Sequence, residues 1–440
     1  MIFMVLKGFD AIYLLIPAVA ILCLFSALNF QEQWLTVLMD GTVDFFKMLG
    51  PILISALMFA GIFGISGAAK SFAYGIMNFI ERIVKSKPGD EKKNGIVITV
   101  LCAIIIGGVT NFFGLDGMAI QVVVLPILLS MLRHYNLSRN ILPALIYANA
   151  CFTPMPFATN SPMITHAMFL GLPNTGGYAV AGFVGSIAGI AWTFIFLIRY
   201  MRKQNLSSEF ITAPTDINVE TSDEIKLPHF ILSAFALVLA FVLVYTTGIQ
   251  LAFALVIASG VEIIIFFPQL RALAKERKSS VPGIIRENWN DQMRMATYIT
   301  VMVVMLIGFS NVIQQTSGFQ AIIDALTGAA SSPVKALIMC TIAMIVMIGI
   351  TANPMAGMMA NLNIISPIFL KLGVPPAAIM RISVTASTVF DTLPTCVGVI
   401  MAHKISNVKL KDGYYPVFAV SCIATGIMTV INVIMIAFTL

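Results

Sequence analysis

The chain is short of charge, of histidine and of the motifs that mark soluble catalysis. Only 10 % of its 440 residues are Asp, Glu, Lys or Arg, against roughly 25 % in a soluble domain. So few charges cannot coat a water-facing surface, and they exclude a soluble globular protein, a disordered one and nucleic-acid binding as a main role. Four histidines, without close Cys or Asp spacing, offer no metal site. The six cysteines, Cys23, Cys102, Cys151, Cys340, Cys396 and Cys422, lie in apolar stretches and form no C-x-x-C pair. That removes a zinc site and a disulfide framework and leaves them a packing role. No Walker A, G-x-S-x-G or H-E-x-x-H motif occurs, so neither ATP-driven transport nor intramembrane hydrolysis is indicated. No enzyme is expected, and no cofactor beyond a coupling ion.

Apolar residues are what the chain has. They make up 59 % of it, and the mean hydropathy is +0.94. The formal charge of +6 could suggest an anionic partner. In a membrane protein, however, surplus Lys and Arg mark cytoplasmic loops facing anionic lipid. The first apolar run, from about Phe9 to Phe30, is long enough to span and shows no small-residue cleavage site, so it reads as a retained helix.

Seven stretches read as spans: about 9–29, 41–66, 178–198, 229–247, 249–268, 294–314 and 415–439. Three longer regions, 95–133, 139–167 and 334–405, carry Gly, Pro and polar clusters in mid-run. Non-helical backbone at membrane depth needs protein or a water-filled cavity to satisfy it. We therefore expect re-entrant hairpins at 95–133 and 334–371 and crossing helices that unwind near the midplane at 139–167 and 376–405. The sum is nine crossings. With the N-terminus inside, 22 of the 26 basic residues fall on the inner side, leaving Lys47, Lys335, Lys371 and Arg381 for the outer half. Residues 204–227 read as a polar linker, and 269–293 as an amphipathic helix at the inner interface.

The two halves share a layout. The first runs GGVTN (Gly107–Asn111), a Gly-rich turn, an apolar stretch around Pro126, and a helix that breaks at CFTPMP (Cys151–Pro156). The second runs GITAN (Gly349–Asn353), PMAGMMANLN, an apolar stretch around Pro367, and a helix that breaks at FDTLP (Phe390–Pro394). Asn111 and Asn353 stand 242 positions apart, Pro154 and Pro394 240. An odd number of crossings separates the units, so the copies would face opposite ways. Interrupted segments at matching positions of inverted halves point to the binding site of a secondary transporter.

Four polar clusters lie at these breaks: Thr110, Asn111, Gly114, Asp116 and Gly117; Thr153 to Pro162; Thr351, Asn353, Asn361 and Asn363; and Ser387, Thr388, Asp391, Thr392 and Thr395. A half-helix N-terminus offers free N–H groups and partial positive charge, which can hold a carboxylate. Carbonyls at half-helix C-termini can hold a cation. Asp391 at the bilayer centre costs ~2.5–3.5 kcal/mol on insertion scales, so it must be paired, protonated or bound to a cation. It reads either as the coupling residue or as the cap of the following half-helix, and Asp116 carries the same two readings. Glu262, near the inner end of its span, is expected to snorkel or pair. Arg381 could pair with an acid or attract anions. His166 and His403, at the ends of the broken helices, are expected at an interface.

ASTVFDTLPTCVGVI (Ala386–Ile400) resembles the C-terminal signature of the gluconate permease family, Asp-Ser/Thr-Leu-Pro-His-Asn-Gly. ANACFTPMPFATNSPMI (Ala148–Ile164) is similar to that family's proline-rich break, especially in its hydroxybutyrate-permease-like branch. Asp391, Thr392, Leu393 and Pro394 match. Thr395 and Cys396 stand where His and Asn belong, and Gly398 is displaced by one. The resemblance implies the wider ion transporter superfamily: inverted repeats with hairpins, a transport domain moving against a scaffold, often a dimer, and symport of a small carboxylate with H⁺ or Na⁺.

The expected fold is thus an all-α polytopic membrane protein with two inverted repeats, N-in and C-out. Residues 1–203 form the first repeat (scaffold helices 9–66, hairpin 95–133, broken helix 139–167, helix 178–198). Residues 204–248 are a cytoplasmic linker and connecting helix. Residues 249–440 form the second repeat (scaffold helices 249–314, hairpin 334–371, broken helix 376–405, helix 415–439). The expected function is H⁺- or Na⁺-coupled symport of a small hydroxy- or simple carboxylate in a bacterial inner membrane, as a homodimer working by an elevator. The alternative is a cation/proton antiporter without organic substrate. Substrate contacts are expected from Asn111, Thr153, Thr159, Asn160, Ser161, Thr351, Asn353, Thr392 and Thr395, and ion coupling from Asp391 and Asp116. A Na⁺, where one is used, would lie near Thr110, Asn111, Asn353 and Asp391.

Overall fold

The computed structural model describes residues 11–84, 91–112, 117–158, 160–205, 226–328, 332–351, 358, 361–362 and 366–440, and among these it is entirely helical. The first half holds α1 (Leu15–Ser26), α2 (Met39–Ile65), α3 (Ala68–Val84), α4 (Glu91–Phe112), α5 (Gly117–His134), α6 (Leu142–Ile146), α7 (Ser161–Phe169) and α8 (Ala179–Asn205). Then come α9 (Phe230–Thr247), α10 (Leu251–Ile265), α11 (Phe267–Glu276), α12 (Val281–Gln314), α13 (Ser317–Gly328) and α14 (Pro333–Thr351). The chain closes with α15 (Ser366–Lys371), α16 (Pro376–Ser387), α17 (Val397–Ile405), α18 (Leu410–Phe418) and α19 (Ala424–Ala437). Four stretches are long and apolar enough to cross a membrane: Lys92–Phe112, Ala179–Gln204, Pro333–Ile350 and Leu410–Ala437. Two bent pairs, α2 with α3 at 76° and α10 with α11 at 69°, raise the number to six.

The side chains are arranged as lipid requires. Ile187 on α8, Ile231 on α9, Phe253 and Ile264 on α10 and Leu24 on α1 stand exposed, whereas Ser383, Thr385, Thr425, Thr429 and Asn432 are buried. Large apolar residues out and hydroxyls in is the reverse of a soluble fold. The helices and this arrangement describe a multi-pass membrane protein.

Several expected boundaries shift. The first span is shorter within the described residues, a helix of 12 residues. A short helix (Phe30–Glu32) and a π turn (Gln33–Leu38) run straight into α2, so that span begins before residue 41. The stretch 269–293 is not one interfacial helix. Lys278 takes φ 49° and ends the α11 segment. Ser280 then accepts a hydrogen bond from the Gly283 N–H and starts α12, 34 residues that run on through the expected span 294–314. Helix α13 was not anticipated. His166 and His403 are buried rather than interfacial, each with Nδ1 2.8 Å from a carbonyl four residues back, that of Pro162 or Val399.

Both expected broken helices are broken. In the first, α6 passes into a 3₁₀ turn (Tyr147–Phe152), then irregular backbone, then α7. In the second, α16 ends at Ser387 and α17 starts at Val397. Proline explains both, since its ring blocks the preceding turn and it has no N–H to donate. The halves also keep a common spacing: α2 and α12 begin 242 positions apart, at Met39 and Val281, as do α4 and α14, at Glu91 and Pro333. Helix α12 lies along α2, and α8 lies along α19.

Candidate functional site

The first break is held by neutral amides. Asn111, in the last turn of α4, donates from Nδ2 to Asn149 Oδ1 at 3.2 Å and to Thr153 Oγ1 at 3.0 Å. Asn160 donates to Asn111 Oδ1 at 3.3 Å and to the Thr153 carbonyl at 2.8 Å. Its own Oδ1 accepts the Met163 N–H and so caps α7. Thr110 hydrogen-bonds back to the Ile106 and Gly107 carbonyls of its own helix. Asn111, Thr153 and Asn160 are thus brought together as expected, with one another as partners. Thr159 and Asp116 lie outside the described residues, as does Asn353 in the second half. Ser161 and Thr351 sit on described helices, and their side chains lie outside the described residues.

The second break carries the ionisable group. Asp391 is half-buried, and the Cys396 thiol donates to its Oδ1 at 3.4 Å. Cys396 is also the N-cap residue of α17. That places a carboxylate beside the positive end of the half-helix, an attraction worth ~0.3–1 kcal/mol. Thr392 hydrogen-bonds to Ser421 and lies 3.1 Å from Cys422 Sγ, and Thr395 is buried in the same turn.

The sequence reading missed the wall behind this break. Pro416 lies in α18, and a π turn (Ala419–Ile423) follows it. The widened turn leaves the Ala419 and Val420 carbonyls to accept from Trp192 Nε1 at 3.0 Å and Thr193 Oγ1 at 3.4 Å, both on α8. Thr425 donates to the Thr388 carbonyl at 3.1 Å and Thr429 to the Thr385 carbonyl at 3.4 Å. Ser421, Thr425 and Thr429 recur every four residues, a helical stripe visible in the sequence.

The two breaks are clasped to each other. Arg381, wholly buried on α16, donates to the Pro154 carbonyl in the first break, to Thr175 at 2.8 Å and to Gly177 at 2.8 and 3.0 Å. Of the two readings offered for it, an acid partner is not the one found; no carboxylate among the described residues lies within ion-pair distance. Arg139, 242 positions earlier, donates from Nε to the Ser406 carbonyl at 2.5 Å. Each arginine precedes the break of one half and holds backbone that follows the half-helix of the other. Tyr147 adds a third link. A methyl group at Gly398, in the first turn of α17, would lie 2.5 Å from its hydroxyl. Only glycine lets that hydroxyl approach so closely.

The arms match as well. Gly108 of α4 packs on the Phe152 ring and Gly349 of α14 on the Phe390 ring at 3.1 Å, each ring leading into a break. In the second half Asn361 accepts from Ser366 at 2.9 Å and from Ser383 of α16 at 3.1 Å. It ties the chain after α14 to α16 as Asn111 ties α4 to the first break.

No protein-family model matches the chain. It is 20 % identical over 427 residues to an uncharacterized transporter, YxjC, of Bacillus subtilis (strain 168), covering 89 % of this chain and 87 % of that one. The similarity runs end to end and supports a transporter; it does not single out the gluconate permeases.

Proposed function

We propose that the protein is a secondary active transporter that carries a small organic anion, a hydroxy- or simple carboxylate, together with H⁺ or Na⁺ across the bacterial inner membrane. The carrying observation is Arg381, a buried guanidinium set on unwound backbone with no carboxylate beside it. Two half-helix N-termini, at Ser161 and Val397, add partial positive charge to the same region. A carboxylate guest complements that field. In this reading Asp391 is the ion-coupling residue, with Asp116 as second candidate. Thr153, Asn160, Thr392 and Thr395 line the substrate path with Asn111, Thr159, Ser161, Thr351 and Asn353.

The architecture we infer is nine crossings, N-terminus inside, with the two halves inverted. The matched 242-residue spacings and the reciprocal Arg139 and Arg381 clasps support it, because inverted copies would carry such clasps to opposite membrane faces. The clasped breaks with α4, α5, α14 and α15 form the moving domain, and α1, α2, α10 and α12 the scaffold and dimer surface. Resemblance to the gluconate permeases supports this elevator. The alternative is cation/proton antiport through Asp391. It accounts for the carboxyl and leaves the guanidinium without a role.

Uptake into proteoliposomes decides between them. Labelled gluconate and 3-hydroxybutyrate are offered with an imposed pH or Na⁺ gradient. Gradient-driven accumulation of either supports symport. Cation exchange unaffected by any carboxylate in a wider panel refutes it.

A further inference from the structure

We propose that Glu262 is a proton-binding site in the scaffold, separate from the two breaks. Glu262 lies on α10, wholly buried, and neither carboxyl oxygen has a hydrogen-bond partner. The expectation that it snorkels or pairs is therefore overturned. The buried face of α10 is otherwise Ala252, Ala254, Leu255, Ala258 and Ser259. Helix α2 packs along α10, and its half from Met48 to Ile65 contains no ionisable residue. Its Asp44 and Lys47, at the far end, are exposed and pair with each other. Helix α9, the other neighbour, has no charged residue at all. On α11 the ionisable groups Arg271, Lys275 and Glu276 are exposed. On α12, Arg286, Glu287 and Arg294 are exposed and Asp291 is half-buried with an interaction of its own. No cation is left to face the carboxyl from these elements.

The corner around it is polar and unfilled. Ile62 and Ile65 of α2, Leu270 and Leu273 of α11 and Ile284 of α12 form a small apolar cluster, with Ile263 and Trp289 at its edge. Glu262 and Asn288 each directly precede one of those edge residues. Asn288 is buried against Gly61 of α2, and neither its oxygen nor its nitrogen has a partner; the same holds for Trp289 Nε1 and Gln269 Oε1. An unpartnered carboxylate ion cannot persist there. A sodium ion would demand several oxygens drawn in to it, whereas a proton needs only Glu262 itself. The occupant is a proton. It is released when the α10–α11 elbow opens and water reaches the corner. The proposal rests on the transport reading only for its consequence, that H⁺ rather than Na⁺ couples at this residue.

The test uses the wild-type protein in liposomes. Dicyclohexylcarbodiimide, a lipid-soluble reagent, attacks neutral buried carboxyls. Peptide mass spectrometry is expected to find the adduct on Glu262, in a yield that falls as pH rises and does not respond to Na⁺. Absence of an adduct, a yield independent of pH, or protection by Na⁺ overturns the proposal. The Glu262→Gln variant should lack a neutral-carboxyl infrared band that the wild type shows, while unfolding at the same temperature. If the variant fails to fold, the labelling decides alone. Transport of no substrate is required, so failure here and failure of the symport reading are read separately.

Discussion

The first break and the second are built on one plan from different chemistry. In the first, Asn111, Asn149, Thr153 and Asn160 satisfy one another, and nothing in the network can change charge. In the second, hydroxyls from α19 hold the backbone, while Asp391 has a single weak thiol donor and remains half-buried. A closed amide ring suits permanent geometry. A loosely held carboxyl suits a group whose occupant comes and goes. The pair teaches that repeat symmetry fixes where the chain unwinds, and side-chain chemistry decides what each unwound segment does.

That contrast can be broken most severely at the clasp both breaks share. Arg381→Met strands the carbonyls of Pro154, Thr175 and Gly177, at about 1–3 kcal/mol each. Thermal unfolding in detergent should show the loss, with Arg381→Lys recovering part of it. Next, Asp391→Asn should leave the fold intact and cut gradient-driven uptake by about tenfold or more, equivalent to ~1.4 kcal/mol or more. Unchanged uptake with unchanged pH and Na⁺ dependence would move the coupling role elsewhere.

Gly398→Ala forces Tyr147 and α17 apart and should cost ~1–3 kcal/mol, the range for overpacking. Tyr147→Phe in the same chain should restore most of it, which a double-mutant cycle would measure. Asn160→Ala removes the α7 cap and should lower stability by about 1 kcal/mol, with little change in the pH profile of uptake. A changed profile would mean the first break is not merely structural. The smallest effect is expected for Thr429→Val, whose bond to Thr385 is long at 3.4 Å; under ~1 kcal/mol is anticipated.

Proline made the breaks legible. Pro154, Pro156 and Pro394 sit where no continuous helix can run, and the structure unwinds there. The clasp was not legible, because Arg139 and Arg381 bind carbonyls, which every residue owns and no motif records. The Tyr147–Gly398 contact joins residues 251 positions apart and left no local trace. Helix α12 was cut short for a different reason. Arg286, Glu287, Asp291 and Arg294 look like loop to a hydropathy argument, yet hydropathy measures insertion into lipid and not helicity. Glu262 was misread because span position alone does not say which face of α10 it takes.

The π turn at Ala419–Ile423 sets the angular phase of everything beyond it. An α-helix turns ~100° per residue, and this turn accommodates one extra residue. Excising a single residue between Ala419 and Ile423 should leave the rod intact while swinging Thr425 and Thr429 about a quarter-turn off α16. Chain length at that one point, more than the identity of either threonine, keeps the final helix in step with its neighbour.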